Sequence, residues 1–143
     1  MDPLSIAASV TGILTASGKI LSVISQVYEA PEYIKAIGIE VHHIRIIVAA
    51  LRRFLDRTRQ LLPHRAALIQ IDDVVAILTQ TVLTFSELEA VVRSASSHGA
   101  LLRLSWPWQQ AGATRLVGRL QQHKMTLSLM LQIMQWLVKS CSS

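Results

Sequence analysis

The sequence predicts an all-α protein, an antiparallel up-down four-helix bundle formed by a single domain of residues 1–143. Two observations carry this prediction. Apolar residues recur at spacings of three and four along four long segments, which is the periodicity of one face of a helix. Proline or a serine- and glycine-rich stretch separates the segments, and no segment alternates apolar and polar residues as a half-buried strand does. We expect the helices at about residues 3–29, 31–61, 63–95 and 109–140.

The first helix is the least charged segment of the chain. Asp2 is a good N-cap residue, and Pro3 suits the first helical position because its missing N–H has no partner there in any helix. One face is apolar, whereas the other carries small uncharged groups and Lys19. The segment is long enough to cross a bilayer, but its polar stripe argues against an obligate span. No basic residue precedes it, as one would in a secretory signal.

The second and third helices each follow a proline, Pro31 and Pro63, and each carries a core stripe. In the second helix the stripe is Ile34, Ile37, Val41, Ile44, Val48, Leu51 and Leu55. Four further apolar residues widen it and predict a helix inside the bundle with two neighbours; they are Ile39, Ile46, Ile47 and Phe54. In the third helix the stripe is Leu68, Ile71, Val75, Leu78, Val82, Phe85 and Val92, interrupted at Glu89.

The segment before the last helix contains a polar linker at residues 94–99 and then an apolar stretch around Pro107. We expect this stretch to fold back on the end of the bundle as a loop; the alternative is that Trp106 and Trp108 anchor the chain to lipid or to a partner. The last helix presents Leu116, Leu120, Leu127, Met130, Met134 and Leu137 to the core, with Met125 on the same adaptable face. His123 fills the one polar position of that stripe, where we expect a hydrogen-bonded core histidine.

The composition indicates an outside that is short of charge and a chain without catalytic groups. Charged residues are 16% of the chain and apolar residues 51%, whereas about a quarter of an ordinary soluble domain is charged. Either a partner or membrane covers part of the outside, or helix packing is unusually complete. The six glycines form no phosphate-binding loop, and the adjacent pairs His42/His43 and Asp72/Asp73 diverge on a helix. We expect no enzyme, no metal site and no cofactor.

The net charge of +5 is concentrated in one region, and the single cysteine favours a reducing compartment. Six arginines lie between residues 45 and 65, with only Asp56 opposing them: Arg45, Arg52, Arg53, Arg57, Arg59 and Arg65. An anionic membrane surface or an acidic partner fits this cluster, and a solvated face without a partner is the alternative. Nucleic acid is less favoured because Phe54 is the one aromatic residue interleaved with the arginines.

Three segments carry a resemblance to a known family. The opening MDPLSIAASVTGIL with the following SGKI, the SWPW of residues 105–108 and the LQQHKMTLSLMLQIM of residues 120–134 resemble the HeLo-like N-terminal domain of fungal STAND and NACHT (NLR-type) receptors. The resemblance extends over nearly the whole chain. It implies an effector domain of fungal innate immunity that triggers programmed cell death, as in heterokaryon incompatibility. In related HeLo domains the N-terminal helix is released on oligomerisation and inserts into a membrane.

Transferred to this chain, the resemblance implies a function for the segment from Leu4 to Tyr28, and the clustered arginines and the two tryptophans give a second group of candidates. The candidates for membrane insertion and oligomerisation are Leu4, Ile6, Val10, Gly12, Ile13, Leu14, Ile20, Leu21 and Ile24. The candidates for contact with anionic lipid or a partner are Arg52, Arg53, Arg57, Arg59, Trp106 and Trp108.

The expected partners are anionic membrane lipids, further copies of the chain and, if the chain is a domain excised from a receptor, the downstream receptor modules. We expect a cytoplasmic protein that is recruited to a membrane. The alternative function is a soluble signalling or oligomerisation adaptor that binds protein partners without entering membranes. In the membrane mechanism, small residues at four-residue spacing in the first helix, Ala8, Gly12 and Ala16, let copies approach closely in lipid.

Overall fold

The computed structural model describes residues 3–27, 32–58, 71–97 and 99–142. The described chain forms four helices: α1 (Pro3–Ser25), α2 (Glu32–Thr58), α3 (Ile71–Ser97) and α4 (Gly99–Ser142). They associate laterally around a common apolar core. The predicted all-α four-helix bundle is therefore confirmed.

Three of the four helices have bounds close to those expected. α1 ends at Ser25 instead of residue 29, and the chain leaves the helix through a turn at Gln26. α2 follows its prediction as far as Thr58, and α3 runs two residues past its predicted end, to Ser97. The predicted ends at residues 28–29 and 59–61, and the predicted start of the third helix at residues 63–70, lie outside the described residues.

The last helix corrects the sequence analysis. α4 begins at Gly99, so the backbone of residues 101–108, expected as a loop folded onto the bundle end, is helical. The polar linker is also shorter than expected, because α3 and α4 are separated by residue 98 alone. Pro107 removes one backbone hydrogen bond but holds φ at a helical value. A long helix can therefore continue through it.

The order of the helices around the bundle follows from their contacts. α1 and α4 each contact both α2 and α3, whereas the diagonal pairs, α1 with α4 and α2 with α3, make few contacts or none within the described residues. Viewed along the bundle, the four helices therefore lie at the corners of a square, in the order α1, α2, α4 and α3 around it. Consecutive helices α2 and α3 thus lie diagonally opposite each other.

Side-chain contacts fix the direction of each helix. Ile24 lies against Gly38 and the Arg45 guanidinium lies beside Gly18, so residue numbers on α1 fall as those on α2 rise. Between α3 and α4 the same reversal is seen, with Thr84 opposite His123 and Glu87 opposite Arg119.

α2 and α4, by contrast, run parallel. Glu40 is opposite Gln121. About two helical turns further along both helices, Ile47 and Leu129 line the same groove. Directions alternate along the chain, as predicted for an up-down bundle. Because α2 and α3 are diagonal, the two remaining neighbouring pairs, α1 with α3 and α2 with α4, are parallel.

The core stripe of α2 is confirmed almost completely. Its buried members are Ile34, Ile37, Val41, Ile44, Val48 and Leu51, and Leu55 is half-buried. Two of the four residues expected to widen the stripe, Ile47 and Phe54, pack partly against the core. The other two do not, since Ile39 and Ile46 are 56% and 53% exposed. α2 has two neighbours as predicted, yet one apolar side of it is left uncovered.

The core stripe of α3 differs by one residue from the predicted one over part of its length. The buried residues are Val74, Leu78, Thr81, Thr84, Phe85, Leu88 and Val92. Leu88 therefore occupies the position at which Glu89 was expected to interrupt the core. Glu89 lies on the flank of the helix, where its Oε1 accepts a hydrogen bond from Nη2 of Arg93 at 2.7 Å. The expected interruption was wrong because the spacing of a helix allows either residue 88 or residue 89 to face the core, and Leu88 is the residue that does so.

Two leucines of α3 test this assignment. Leu88→Ala should lower the free energy of unfolding by about 2–5 kcal/mol, because Leu88 is fully buried and truncation leaves a cavity. Leu83→Ala makes the same chemical change at a side chain that is 61% exposed, and should cost less than about 0.5 kcal/mol. Urea unfolding followed by circular dichroism measures both values. Equal losses from the two variants would contradict the core described for α3.

Candidate functional site

All but one of the described candidate insertion residues of α1 pack against the core of the bundle. Four are buried: Ile6, Val10, Ile13 and Ile20. Leu14, Leu21 and Ile24 are half-buried and pack against the same core, whereas Gly12 is exposed. Leu4 belongs to α1, but its side chain lies outside the described part of the structure. The apolar face predicted from the sequence is thus the face that the folded bundle covers.

The outer face of α1 is built from small groups. Its exposed residues are Ala7, Ala8, Thr11, Gly12, Thr15, Lys19, Ser22 and Ser25. Lys19 is the only charged side chain of α1 within residues 6–27. A Cβ atom added at Gly12 would meet no neighbouring atom, so the helix surface there is open. The outer face therefore has the low polarity expected from the sequence.

The hydroxyl groups of α1 bond within their own helix. Ser17 is fully buried, and its Oγ donates to the Leu14 carbonyl at 2.8 Å. Ser25 donates in the same way to the Ser22 carbonyl at 2.6 Å. Sequence analysis missed Ser17 as a core residue, although its position, between Ile13 and Ile20 on the buried face, is a signal for it. Both hydroxyl groups keep these hydrogen bonds if α1 changes its surroundings, because each acceptor belongs to the same helix.

α4 is joined to α2 by polar side chains. Glu40 is buried, and its Oε2 lies 2.9 Å from Nζ of Lys124, in the geometry of an ion pair rather than of an aligned hydrogen bond. Gln121 donates its amide to the other carboxylate oxygen at 3.5 Å. The Lys124 ammonium also lies 3.4 Å from Nδ1 of His43. Replacing α4 by lipid would leave the Glu40 carboxylate without its cation in an apolar environment, which is costly.

α4 is joined to α3 by a second polar set. Nη1 of Arg119 lies 3.2 Å from both carboxylate oxygens of Glu87. Thr84 is buried, and its Oγ1 lies 3.0 Å from Nε2 of His123. His123 is therefore the hydrogen-bonded core histidine that the sequence predicted. Burial, with a smaller contribution from the Arg119 guanidinium, holds the pKa of His123 below its usual value of 6.5.

α1 takes part in no such set. Within residues 6–27 the side-chain hydrogen bonds are those of Ser17 and Ser25 to their own helix, and no ion pair leaves this segment. Its contacts with α2 and α3 are made by apolar side chains, such as Ile24 against Gly38. Three helices are thus cross-linked by polar contacts, and residues 6–25 of the fourth are held by apolar packing.

Two described segments are long and apolar enough to cross a membrane, Ile6–Ser25 of α1 and Asp73–Ser94 of α3. Core helices of soluble proteins and signal sequences share these properties, so length and composition select candidates without assigning a location. The second segment was not identified from the sequence. The two helices are neighbours in the bundle.

The residues expected to contact anionic lipid are only partly described. Arg52, Arg53 and Arg57 are exposed on the last turns of α2. None of the three forms an ion pair with a described residue. Arg59 lies outside the described residues, as do the side chains of Trp106 and Trp108, whose backbone belongs to α4.

An exposed apolar face between α2 and α4 was missed by sequence analysis. It combines Ile39 and Ile46 of α2 with Met125, Leu129, Ile133 and Trp136 of α4, each of which is about half exposed or more. An open groove between the helices is lined by His43, Ile46, Ile47, Lys124, Met125 and Leu129, among others. Met125 was expected in the core but is 71% exposed. The signal available in the sequence was a second apolar stripe on α4 at spacings of four, four and three.

Comparison with known proteins leaves the family undecided. No family model, no curated protein and no solved structure matches the chain. The HeLo-like assignment therefore stays a prediction that depends on the sequence motifs.

The ion pair between α2 and α4 gives a stability prediction. Lys124→Met removes the cation beside buried Glu40, and we expect the free energy of unfolding to fall by about 2 kcal/mol or more. The double variant Glu40→Met with Lys124→Met should recover most of that loss, since no uncompensated charge is buried. Urea unfolding of the wild type and the three variants completes the double-mutant cycle. Additive losses would contradict the pairing.

His123 gives a prediction on pH. Because its folded pKa is lowered from 6.5, the unfolded chain binds a proton that the folded bundle resists. Stability should therefore decrease as the pH falls through the unfolded value towards the lower folded value. His123→Gln, which can still bond to Thr84, should flatten this dependence. Thermal unfolding at a series of pH values tests it, and an unchanged slope in the variant would count against the assignment.

Proposed function

We propose that this chain is the N-terminal effector domain of a fungal NLR-like receptor, which acts by oligomerising and inserting α1 into a membrane to trigger cell death. One observation carries the proposal: the described side chains of α1 make only apolar contacts with the other helices, whereas α2, α3 and α4 are cross-linked by polar side chains. Apolar contacts can be exchanged for lipid, and buried polar pairs cannot. The helix that can leave the bundle is thus the helix that the family resemblance implies.

The free energy of moving a helix from the bundle into lipid favours α1 as the inserted helix. Burying a side chain such as Ile13 or Ile20 contributes roughly 1.5–3 kcal/mol relative to water, so release into water would be opposed by several such terms. Release into lipid is opposed much less, because acyl chains are as apolar as the core. Away from its two ends, the backbone of α1 bonds within the helix, as a lipid-exposed segment must. Lys19 is the one charge to be accommodated, by neutralisation or by reaching the interface.

The length of α1 also matches a bilayer. Its 23 residues span about 34 Å at 1.5 Å per residue, and the hydrocarbon core of a bilayer is about 30 Å thick. α3 passes the same test of length and composition. Moving α3, however, would break the Glu87–Arg119 pair and the contact of Thr84 with His123. The polar contacts therefore favour α1 over α3 as the inserted helix.

Insertion would be coupled to self-association. Once α1 leaves, the apolar surfaces of α2 and α3 that it covered are exposed, and large exposed apolar patches drive association. In the membrane, Ala8 and Gly12 present a surface without large side chains, with Ala16 at its edge. Helices with small residues at four-residue spacing approach closely in lipid. Both effects point to an oligomeric active state.

The second candidate function is a soluble adaptor that recruits a protein partner. It is favoured by the exposed apolar face between α2 and α4, since surfaces of this kind mark interaction sites. In this alternative α1 remains a permanent part of the bundle. The two functions differ in whether a charge on the outer face of α1 matters.

The test places a charge on α1 without disturbing the core. Thr15 is exposed, so Thr15→Glu should leave the fold intact but oppose burial of α1 in lipid, where a carboxylate at the centre of a helix costs about 2.5–3.5 kcal/mol. Leakage of dye from vesicles of phosphatidylcholine and phosphatidylserine should fall at least tenfold. Thr114→Glu, at an exposed threonine of α4, is the matched control and should leak as the wild type does.

Circular dichroism and thermal unfolding would confirm that both variants remain folded. Equal leakage from wild type, Thr15→Glu and Thr114→Glu would reject insertion of α1. No leakage from folded wild-type protein, even when it is oligomeric, would favour the adaptor.

A further inference from the structure

We propose that the outer face of the α2–α4 pair docks the intact bundle on an anionic bilayer before α1 is released. This docking face consists of Ile39, Ile46 and Arg53 on α2 and Met125, Leu129, Ile133 and Trp136 on α4. The inference deepens the proposed function and rests on it for the membrane as target. It assigns the first contact to a part of the domain other than α1.

The parallel course of α2 and α4 brings these residues together. Ile46 and Leu129 line the same groove. Arg53 and Trp136 each follow seven residues later in sequence, which is about two helical turns, or 10.5 Å, on nearly the same side of each helix. Because the helices run in the same direction, Arg53 and Trp136 lie at the same level. An apolar strip between the helices therefore ends with a guanidinium on α2 and an indole on α4.

The apolar part of the docking face is large for a surface without a partner. Met125, Leu129 and Trp136 are 71%, 57% and 65% exposed, and they follow one another along one side of α4. Of the exposed large apolar side chains in the described structure, six lie on this face and one, Leu83, lies on α3. Such a concentration is unusual for a surface that stays in water. Trp136 is suited to the boundary between lipid headgroups and acyl chains.

The charges around the docking face select an anionic occupant. Arg52, Arg53 and Arg57 are exposed and form no ion pair with a described residue. Asp56 is the one exposed carboxylate among the described residues of this end of α2. Each basic residue near an anionic bilayer contributes about 1 kcal/mol. A second copy docked in parallel on the same face would bring these arginines against one another, so charge disfavours a parallel dimer there.

The register of the bundle connects docking to release. Gly18 lies beside Arg45, and Ile24 lies against Gly38. Extending this antiparallel register places the first turns of α1 beside the last turns of α2, which carry the arginines. A bundle that docks through Arg53 and Trp136 therefore holds the N-terminal end of α1 at the docked end of the bundle, one helix layer from the bilayer.

Flotation of the full chain with vesicles tests the docking face. The wild type should float with phosphatidylcholine vesicles that contain phosphatidylserine and much less with phosphatidylcholine alone. Arg53→Gln with Arg57→Gln should weaken binding by about fivefold for each arginine, from the contribution of about 1 kcal/mol per charge. Leu129→Ser with Trp136→Ala should weaken it at least as much. All four side chains are exposed, so the variants should fold.

Matched controls separate the docking face from general effects. Leu83→Ser removes an equally exposed leucine from α3, and Arg115→Gln removes an exposed arginine from the opposite half of α4. Both should float as the wild type does. Losses in the controls as large as in the docking-face variants would overturn the inference, as would flotation that is independent of phosphatidylserine. A dimer that Trp136→Ala dissociates in the absence of vesicles, measured by light scattering, would assign the face to a second copy and overturn it too.

The Thr15→Glu variant distinguishes this inference from the proposed function. Docking without insertion predicts that it floats like the wild type although it no longer causes leakage. Wild-type leakage from the docking-face variants would reject the docking face and leave insertion of α1 standing. Normal flotation of a wild type that causes no leakage would reject insertion and leave the docking face standing.

Discussion

The unequal attachment of the four helices governs the behaviour of this bundle. Buried Glu40 ties α4 to α2 through Lys124, and the Glu87–Arg119 and Thr84–His123 contacts tie α4 to α3. Polar pairs of this kind are costly to part because each leaves an unpaired group. α1 has no such tie within its described side chains and depends on apolar packing. The fold thus consists of a cross-linked three-helix unit and a fourth helix whose contacts lipid can replace.

The shortage of surface charge has a spatial explanation in this arrangement. α1 and α3, the two helices apolar enough to cross a membrane, are neighbours on one side of the square. α2 and α4 form the opposite side, where exposed apolar residues and arginines are found together. The low charge of the chain is therefore divided between two surfaces of different chemistry. A surface of small uncharged groups suits insertion, and a mixed basic and apolar surface suits docking.

Errors in the sequence analysis have identifiable physical causes. Pro107 suggested a loop because proline removes one helical hydrogen bond and crowds the preceding turn, yet the backbone continues through it as a helix. Glu89 was expected to interrupt the core stripe of α3, because spacings of three and four allow either of two adjacent residues to face the core; Leu88 is the buried one. Ile39, Ile46 and Met125 were assigned to the core because apolar character does not reveal which side of a helix lacks a neighbour.

The sequence by itself determined the helical class, the four segments, most of the core residues and the bonded state of His123, because these depend on periodicity and on the cost of burying unpaired polar groups. Only the tertiary structure decided that α2 and α3 lie on a diagonal, so that α2 and α4 run parallel and bring Arg53 level with Trp136. Periodicity describes one helix at a time, and it carries no information on which helices become neighbours. For the same reason the sequence did not show that α1 is attached by apolar contacts, because a polar contact between helices can be recognised only when the neighbouring helices are known.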